Sequence, residues 1–219
     1  MIESLKFHKF NGFNRIKNFF RRNKNQHLES DIKARWAKNQ IEPLQDTFTS
    51  TKDMYNYAKK RCTADLSGIR PKEHVLVIDL KNKKVLAEYR GTRHDCKLEN
   101  ISSLPINSND IAVFHGHLDS MPISKPDVAF LLNNDVNQVI AINSKGEYSI
   151  IKKTGNNKPE HAIKSAYEIF TNENNILTQK YYEDNMINKY RYRLLRHEVL
   201  KENADSMGLK YITTYSVFK

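Results

Sequence analysis

The segment Ile111-Ala-Val-Phe-His-Gly-His117, followed by Ser124-Lys-Pro-Asp127 and an apolar helical pattern, constrains this chain more than any other stretch. The apolar run Ile111–Phe114 reads as a buried strand that ends in His115-Gly116-His117. Alternate side chains of a strand point to one face, so both imidazoles project together and are able to chelate a single ion. On a helix the same spacing would splay them by about 200°. Ser124 and Asp127 stand three apart where a helix opens, the S-x-x-D spacing of a capping box with Ser124 as N-cap. A helix start set against the strand end also brings the Asp127 carboxylate beside the two histidines. Two imidazoles and one carboxylate leave a fourth position for water, the ligand count of a catalytic rather than a closed structural zinc.

The rest of the chain alternates strands and helices around that segment. Met54, Tyr57, Ala58, Cys62 and Leu66 line one face of a helix that Ser67-Gly68 ends. Residues 74–80 and 84–91 are β-rich runs joined by the polar turn Lys81-Asn82-Lys83, a hairpin pattern. A short strand is expected at His94–Leu98, a helix at Pro126–Asn134, and strands at Val139–Asn143 and Tyr148–Lys152 around the Lys145-Gly146 turn. From Pro159 the pattern is helical to about Met207, with a break expected at Asn172–Asn175 and Gly208 as a C-cap. Tyr211–Phe218 is apolar enough to dock as a strand or extended tail. Near the start, Phe7, Phe10, Phe13, Ile16, Phe19 and Phe20 recur at helical spacing among basic residues, and a second short helix is expected over Ile32–Ile41, before Pro43. The fold class is therefore α/β (α+β), in three parts: a basic helical arm at 1–50, a central domain at 51–154, and a helical extension at 155–219 that packs on or beside that domain.

Composition fits this division. A chain of 219 residues holds one globular domain with appendages or two very small ones. With 39% hydrophobic and 28% charged residues, it predicts one modest core with solvated helices around it. No apolar run reaches the roughly 18 residues a membrane-spanning helix needs, and the first two dozen residues lack the apolar stretch of a secretory signal. Cys62 and Cys96 are too few for a disulfide framework and read as reduced thiols. A cytoplasmic location is expected, or delivery into a target cell without a signal peptide. The net charge is +11, and residues 1–40 hold ten Lys/Arg against three Asp/Glu. That surplus suits an anionic partner of the arm (nucleic acid, an acidic protein or an anionic membrane surface), set against a simply solvated helix. Phosphate-cradling glycine loops and a G-x-S-x-G nucleophile turn are both missing from the sequence, which argues against nucleotide-loop and serine-hydrolase chemistry.

His115-Gly116-His117…Ser124-Lys125-Pro126-Asp127 resembles the H-x-H…S-x-x-D motif of the JAB/MPN (JAMM) metallopeptidases. That family includes deubiquitinating isopeptidases, RadC-like bacterial proteins, and domains of phage head proteins and polymorphic toxins. The strands at 74–80 and 84–91, the histidine strand, the helix and the hairpin at 139–152 follow the family order, so the resemblance covers about residues 51–154. The C-terminal helical segment resembles the tails of phage and toxin versions more loosely. The resemblance implies a central mixed sheet flanked by helices, and Zn²⁺ on His115, His117 and Asp127. It also implies hydrolysis of an amide bond in a protein or peptide, ubiquitin-like conjugates included. Glu73 falls where the family order puts the general base, with Glu88 second and Glu99 third, and Ser124 becomes the hydrogen-bond donor to the developing oxyanion. The chain departs from the family pattern in three ways. The spacer from His117 to Ser124 is six residues, shorter than in the eukaryotic isopeptidases; Leu118 stands where proline is usual; and no tight local motif fixes the glutamate. The alternative is a catalytically degenerate fold of the same type that binds nucleic acid or a protein through its basic arms. His115-Gly-His117-Leu-Asp119 is also similar to the metal loop of metallo-β-lactamase-type hydrolases, but that loop requires a histidine where Ser120 stands.

Overall fold

Strand pairing begins at a tight turn. In the computed structural model, β2 (His74–Asp79) and β3 (Lys84–Arg90) form an antiparallel hairpin. Lys83 takes a left-handed φ of 51°, and the Asp79 carboxylate accepts from the Asn82 backbone N–H (3.0 Å) and side-chain amide (2.8 Å), which fastens the turn. The structure describes residues 40–41, 45–64, 66, 72–92, 104, 110–117, 121–155 and 158–216. The chain divides into two units, Met1–Asn39 and Gln40–Lys219, and only the second falls within that range. The basic aromatic helix expected near the start, the strand expected at His94–Leu98, Cys96 and Glu99 all lie outside the described residues.

From the hairpin the sheet grows to one side. β4 (Ile111–His117) pairs antiparallel with β2 and parallel with β5 (Gln138–Asn143), the crossover running through helix α2 (Lys125–Asn133). β6 (Tyr148–Lys153) returns antiparallel to β5. Helices α3 (Glu160–Tyr182) and α4 (Lys189–Ala204) follow, and β7 (Leu209–Thr213) then adds to the β6 edge. With helix α1 (Thr51–Ala64) and the short β1 (Gln40–Ile41), the result is a mixed α/β fold around a seven-stranded sheet of order β1-β3-β2-β4-β5-β6-β7. The C-terminal segment thus supplies a strand of the central sheet as well as two helices.

Each face of the sheet has its own cover. Met54, Ala58 and Cys62, spaced four apart on α1, lie on Leu76, Ile78, Ala112, Phe114, Ile140 and Ile142. The opposite side chains of the central strands, among them Val75, Val77, Val113, Val139 and Ala141, are equally buried. α2 packs on β5 and β6 and α4 on β7. No described helix is long and apolar enough to cross a membrane.

Two sequence expectations change. Gln40 and Ile41 are not the end of a helix but a strand opposite Tyr89 and Glu88 of β3; the unpaired β3 edge offers backbone bonds that outweigh a weak helical pattern. The break expected at Asn172–Asn175 is not there, since α3 runs unbroken to Tyr182. Asn174 is buried, donates to the Phe170 carbonyl four residues back, and accepts from Arg196, so its amide supports the helix rather than competing with it. The chain turns later, where Asn185 takes a φ of 51° and Asn188 caps α4. His74 is fully buried in β2.

Candidate metal centre

Strand alternation and the helix start do what their sequences require. His115 lies opposite Val75 of β2 and Ala141 of β5, which fixes its face of the sheet, and His117 shares that face two residues on. The Nε2 atoms of the two rings are 2.8 Å apart. Ser124 caps α2 as a complete capping box, with Asp127 as its third residue. That cap aims the Asp127 carboxylate at the histidines: Oδ1 is 3.6 Å from His115 Nε2 and Oδ2 is 3.9 Å from His117 Nε2. Among the described residues these three form a group able to hold a metal ion, with one donor atom from each lying within 4.8 Å of the others.

The middle residue of the H-G-H triplet is fixed by packing. A Cβ built on Gly116 would stand 2.4 Å from the Cys62 backbone carbonyl and 3.1 Å from a Leu66 methyl. Gly116 faces α1, away from the histidines, and the close approach of that helix leaves no space for a side chain.

Hydrogen bonding sets the tautomer of one ligand. His117 Nδ1 lies 3.1 Å from the Met121 carbonyl oxygen, which can only accept, so Nδ1 carries the proton and the Nε2 lone pair is left for the site. Burial, then the neighbouring His115, push His117 down to about 4, against an opposing pull from Asp127, so its ring is neutral at physiological pH. Burial alone would push the Asp127 carboxyl up; the two histidines and the hydrogen bonds from Ser124 outweigh it and hold the carboxyl below its usual range.

Ser124 does not match the role its motif suggested. Its hydroxyl donates to Asp127 Oδ2 at 2.6 Å, and its backbone N–H donates to the same oxygen at 2.8 Å. A hydroxyl has one proton, and here that proton is directed at the Asp127 carboxylate.

The three candidate bases fall in different places. Glu88 pairs with Leu76, which pairs in turn with Phe114, so its side chain lies on the α1 face, across the sheet from the histidines. There it is fully buried and receives hydrogen bonds from Arg61, from Tyr57 at 3.2 Å, and a 2.7 Å contact from His74 Nε2. It is structurally committed and cannot reach the metal ligands. Glu73 is one residue before β2, held in extended chain by backbone bonds to Gly91 and Thr92 of 2.8 Å each. Continuing the β2–β4 register by two residues sets Glu73 opposite His117, on the histidine face. Glu99 is outside the described residues.

Sequence reasoning missed the Met121 carbonyl and Arg196. The first acts through its backbone, which no residue pattern records. The second comes from α4, and its charge bears on His117, Lys125 and Tyr211. His161 is exposed and His197 bonds to the Tyr211 hydroxyl at 3.0 Å, so neither supplies the later ligand a metallo-β-lactamase-type site requires. No protein-family model, curated protein or solved structure matches the chain.

Proposed function

We propose that this protein is a zinc-dependent amide hydrolase of the JAB/MPN type, acting on a protein or peptide, with His115, His117 and Asp127 as the metal ligands. The observation that carries the reading is the convergence of two imidazole Nε2 atoms and a carboxylate, with the His117 tautomer fixed from behind by Met121. Zinc–ligand bonds of about 2.0–2.1 Å imply a tetrahedral edge of ~3.3–3.4 Å. The Nε2 atoms, 2.8 Å apart, stand inside that edge, and the two carboxylate oxygens, Oδ1 at 3.6 Å from His115 and Oδ2 at 3.9 Å from His117, stand outside it. Three protein ligands leave one position open, as in catalytic rather than structural sites.

When bound, zinc supplies a water acidified towards a pKa of ~7 and a Lewis acid for the amide oxygen. Neutral His117 offers its Nε2 lone pair without having to lose a proton first. Ser124 holds the Asp127 carboxylate in its aim through two hydrogen bonds. Glu73, one residue before β2, would take the proton of the water on a carboxylate oxygen and pass it to the leaving amine.

The test is metal content alongside hydrolysis of a fluorogenic peptide library and a ubiquitin–lysine isopeptide. Glu73→Ala is expected to keep zinc and lose hydrolysis. Undiminished hydrolysis by that variant refutes the assignment of the base. Zinc without hydrolysis in the wild type would leave a zinc-binding module of this fold, the reading that the committed Ser124 proton favours.

A further inference from the structure

Two cations are tied to adjacent residues of α3, one of them from the helix that carries Asp127. Lys125 is the first residue of α2, in the same helical turn as Asp127, and its Nζ donates to Asn175 Oδ1 of α3. Arg196 of α4 donates from Nε to Asn174 Oδ1, the adjacent residue of α3, at 3.3 Å. Its guanidinium carbon sits 5.6 Å from the centre of the Tyr192 ring. Both cations are partly buried. Among the described residues neither has a carboxylate partner; their contacts are neutral amides and an aromatic ring.

Two like charges drawn together and partly stripped of water are unfavourable until an anion joins them. The Arg196 Nη groups, which make no bond to any described residue, form a planar fork that matches a carboxylate. Lys125, two residues before Asp127 on α2, ties the pair to the end of that helix that carries the proposed metal ligand.

We propose that Lys125 and Arg196 form a subsite for a substrate carboxylate beside the scissile amide, so that the enzyme selects peptides with an acidic group next to the bond it cuts. The word substrate rests on the hydrolase reading above; the binding of a carboxylate does not. The carboxylate belongs either to an acidic side chain or to a chain terminus, and two probes separate these sources. Acetyl-glutamic acid amide carries only the side-chain carboxylate, and acetyl-glycylglycine only the terminal one. Their neutral controls are acetyl-glutamine amide and acetyl-glycylglycine amide.

The experiment is calorimetric titration of the full chain with all four probes, zinc-loaded and zinc-free. The zinc-free arm removes direct carboxylate–metal binding. At least one acidic probe is expected to bind the zinc-free protein about tenfold more tightly than its neutral control. Arg196→Gln and Lys125→Gln each reduce that preference severalfold, and Arg196→Lys restores part of it. Equal binding of acidic and neutral probes to the zinc-free wild type overturns the subsite, as does a preference that survives both glutamine substitutions. A chain that discriminates but never takes up zinc supports the subsite and refutes the hydrolase; one that holds zinc and hydrolyses peptides without discriminating refutes the subsite alone.

Discussion

Gly116→Ala probes whether the histidine strand is held in place by its contact with α1. The added methyl would lie 2.4 Å from the Cys62 carbonyl oxygen, against an ordinary contact of about 3.5 Å. Relief therefore needs about 1 Å of separation between β4 and the end of α1, and the obstructing atom is backbone, which cannot rotate away. Overpacking of this kind costs about 1–3 kcal/mol, and the rigid partner puts Gly116→Ala near the top of that range. For a unit of this size the midpoint of thermal unfolding then falls by roughly 4–12 °C. Because Gly116 sits between His115 and His117, the same shift moves the imidazoles, and the metal affinity of the proposed site drops at least about tenfold. Gly155→Ala is the control: its methyl meets nothing within 4 Å, but its φ of 75° is left-handed, so it costs about 1 kcal/mol through backbone strain. Urea unfolding and zinc titration of the two variants decide the matter. If Gly116→Ala is within about 0.5 kcal/mol of wild type and binds zinc equally well, the packing argument is wrong.

Two further predictions concern charge. In metal-free protein the His117 ring should remain neutral through pH 6.5 and titrate near 4, followed by ¹⁵N-edited NMR of the imidazole. The unfolded chain gains that proton first, so stability should fall as pH drops from 6.5 to 4, by up to about 3 kcal/mol; titration of the ring near 6.5 would contradict this. Glu88→Gln leaves Arg61 without its buried partner and should cost about 3 kcal/mol at pH 7. Although burial alone pushes the Glu88 carboxyl up, hydrogen bonds from His74 and Arg61 hold it below its ordinary value of 4.5, so its contribution is complete above that pH and is lost as pH falls further. The gap between wild type and Glu88→Gln in urea unfolding should therefore shrink below pH 4.5, and a gap independent of pH would refute the assignment.

Much of the metal centre was legible in the residues, because it depends on local rules. Alternation in a strand aligns His115 with His117, and a capping box fixes Asp127 to its helix start. Glu88 shows where such rules fail. Pairing runs from Asp79 opposite Lys84 and Ile78 opposite Val85, but then shifts so that Val77 meets Ala87. Counting alternation from the turn without that bulge would set Glu88 opposite Val75, on the histidine face; the one-residue shift sends it to the other side. The β1 strand was hidden for a related reason, since its partners Tyr89 and Glu88 lie far along the chain. Asn174 looks like a helix breaker in sequence because its tie to Arg196 is a tertiary contact. Arg196 in turn meets Asn174 only through the packing of α4 against α3.

The proposed function stands on His115, His117 and Asp127 binding one ion together. Zinc content by mass spectrometry, after dialysis of wild type, His117→Ala and Asp127→Asn against buffered micromolar zinc, tests it directly. One zinc per wild-type chain is expected and far less than one in each variant, with all three still folded. A wild type that retains no zinc, or variants that retain as much as it does, would contradict it.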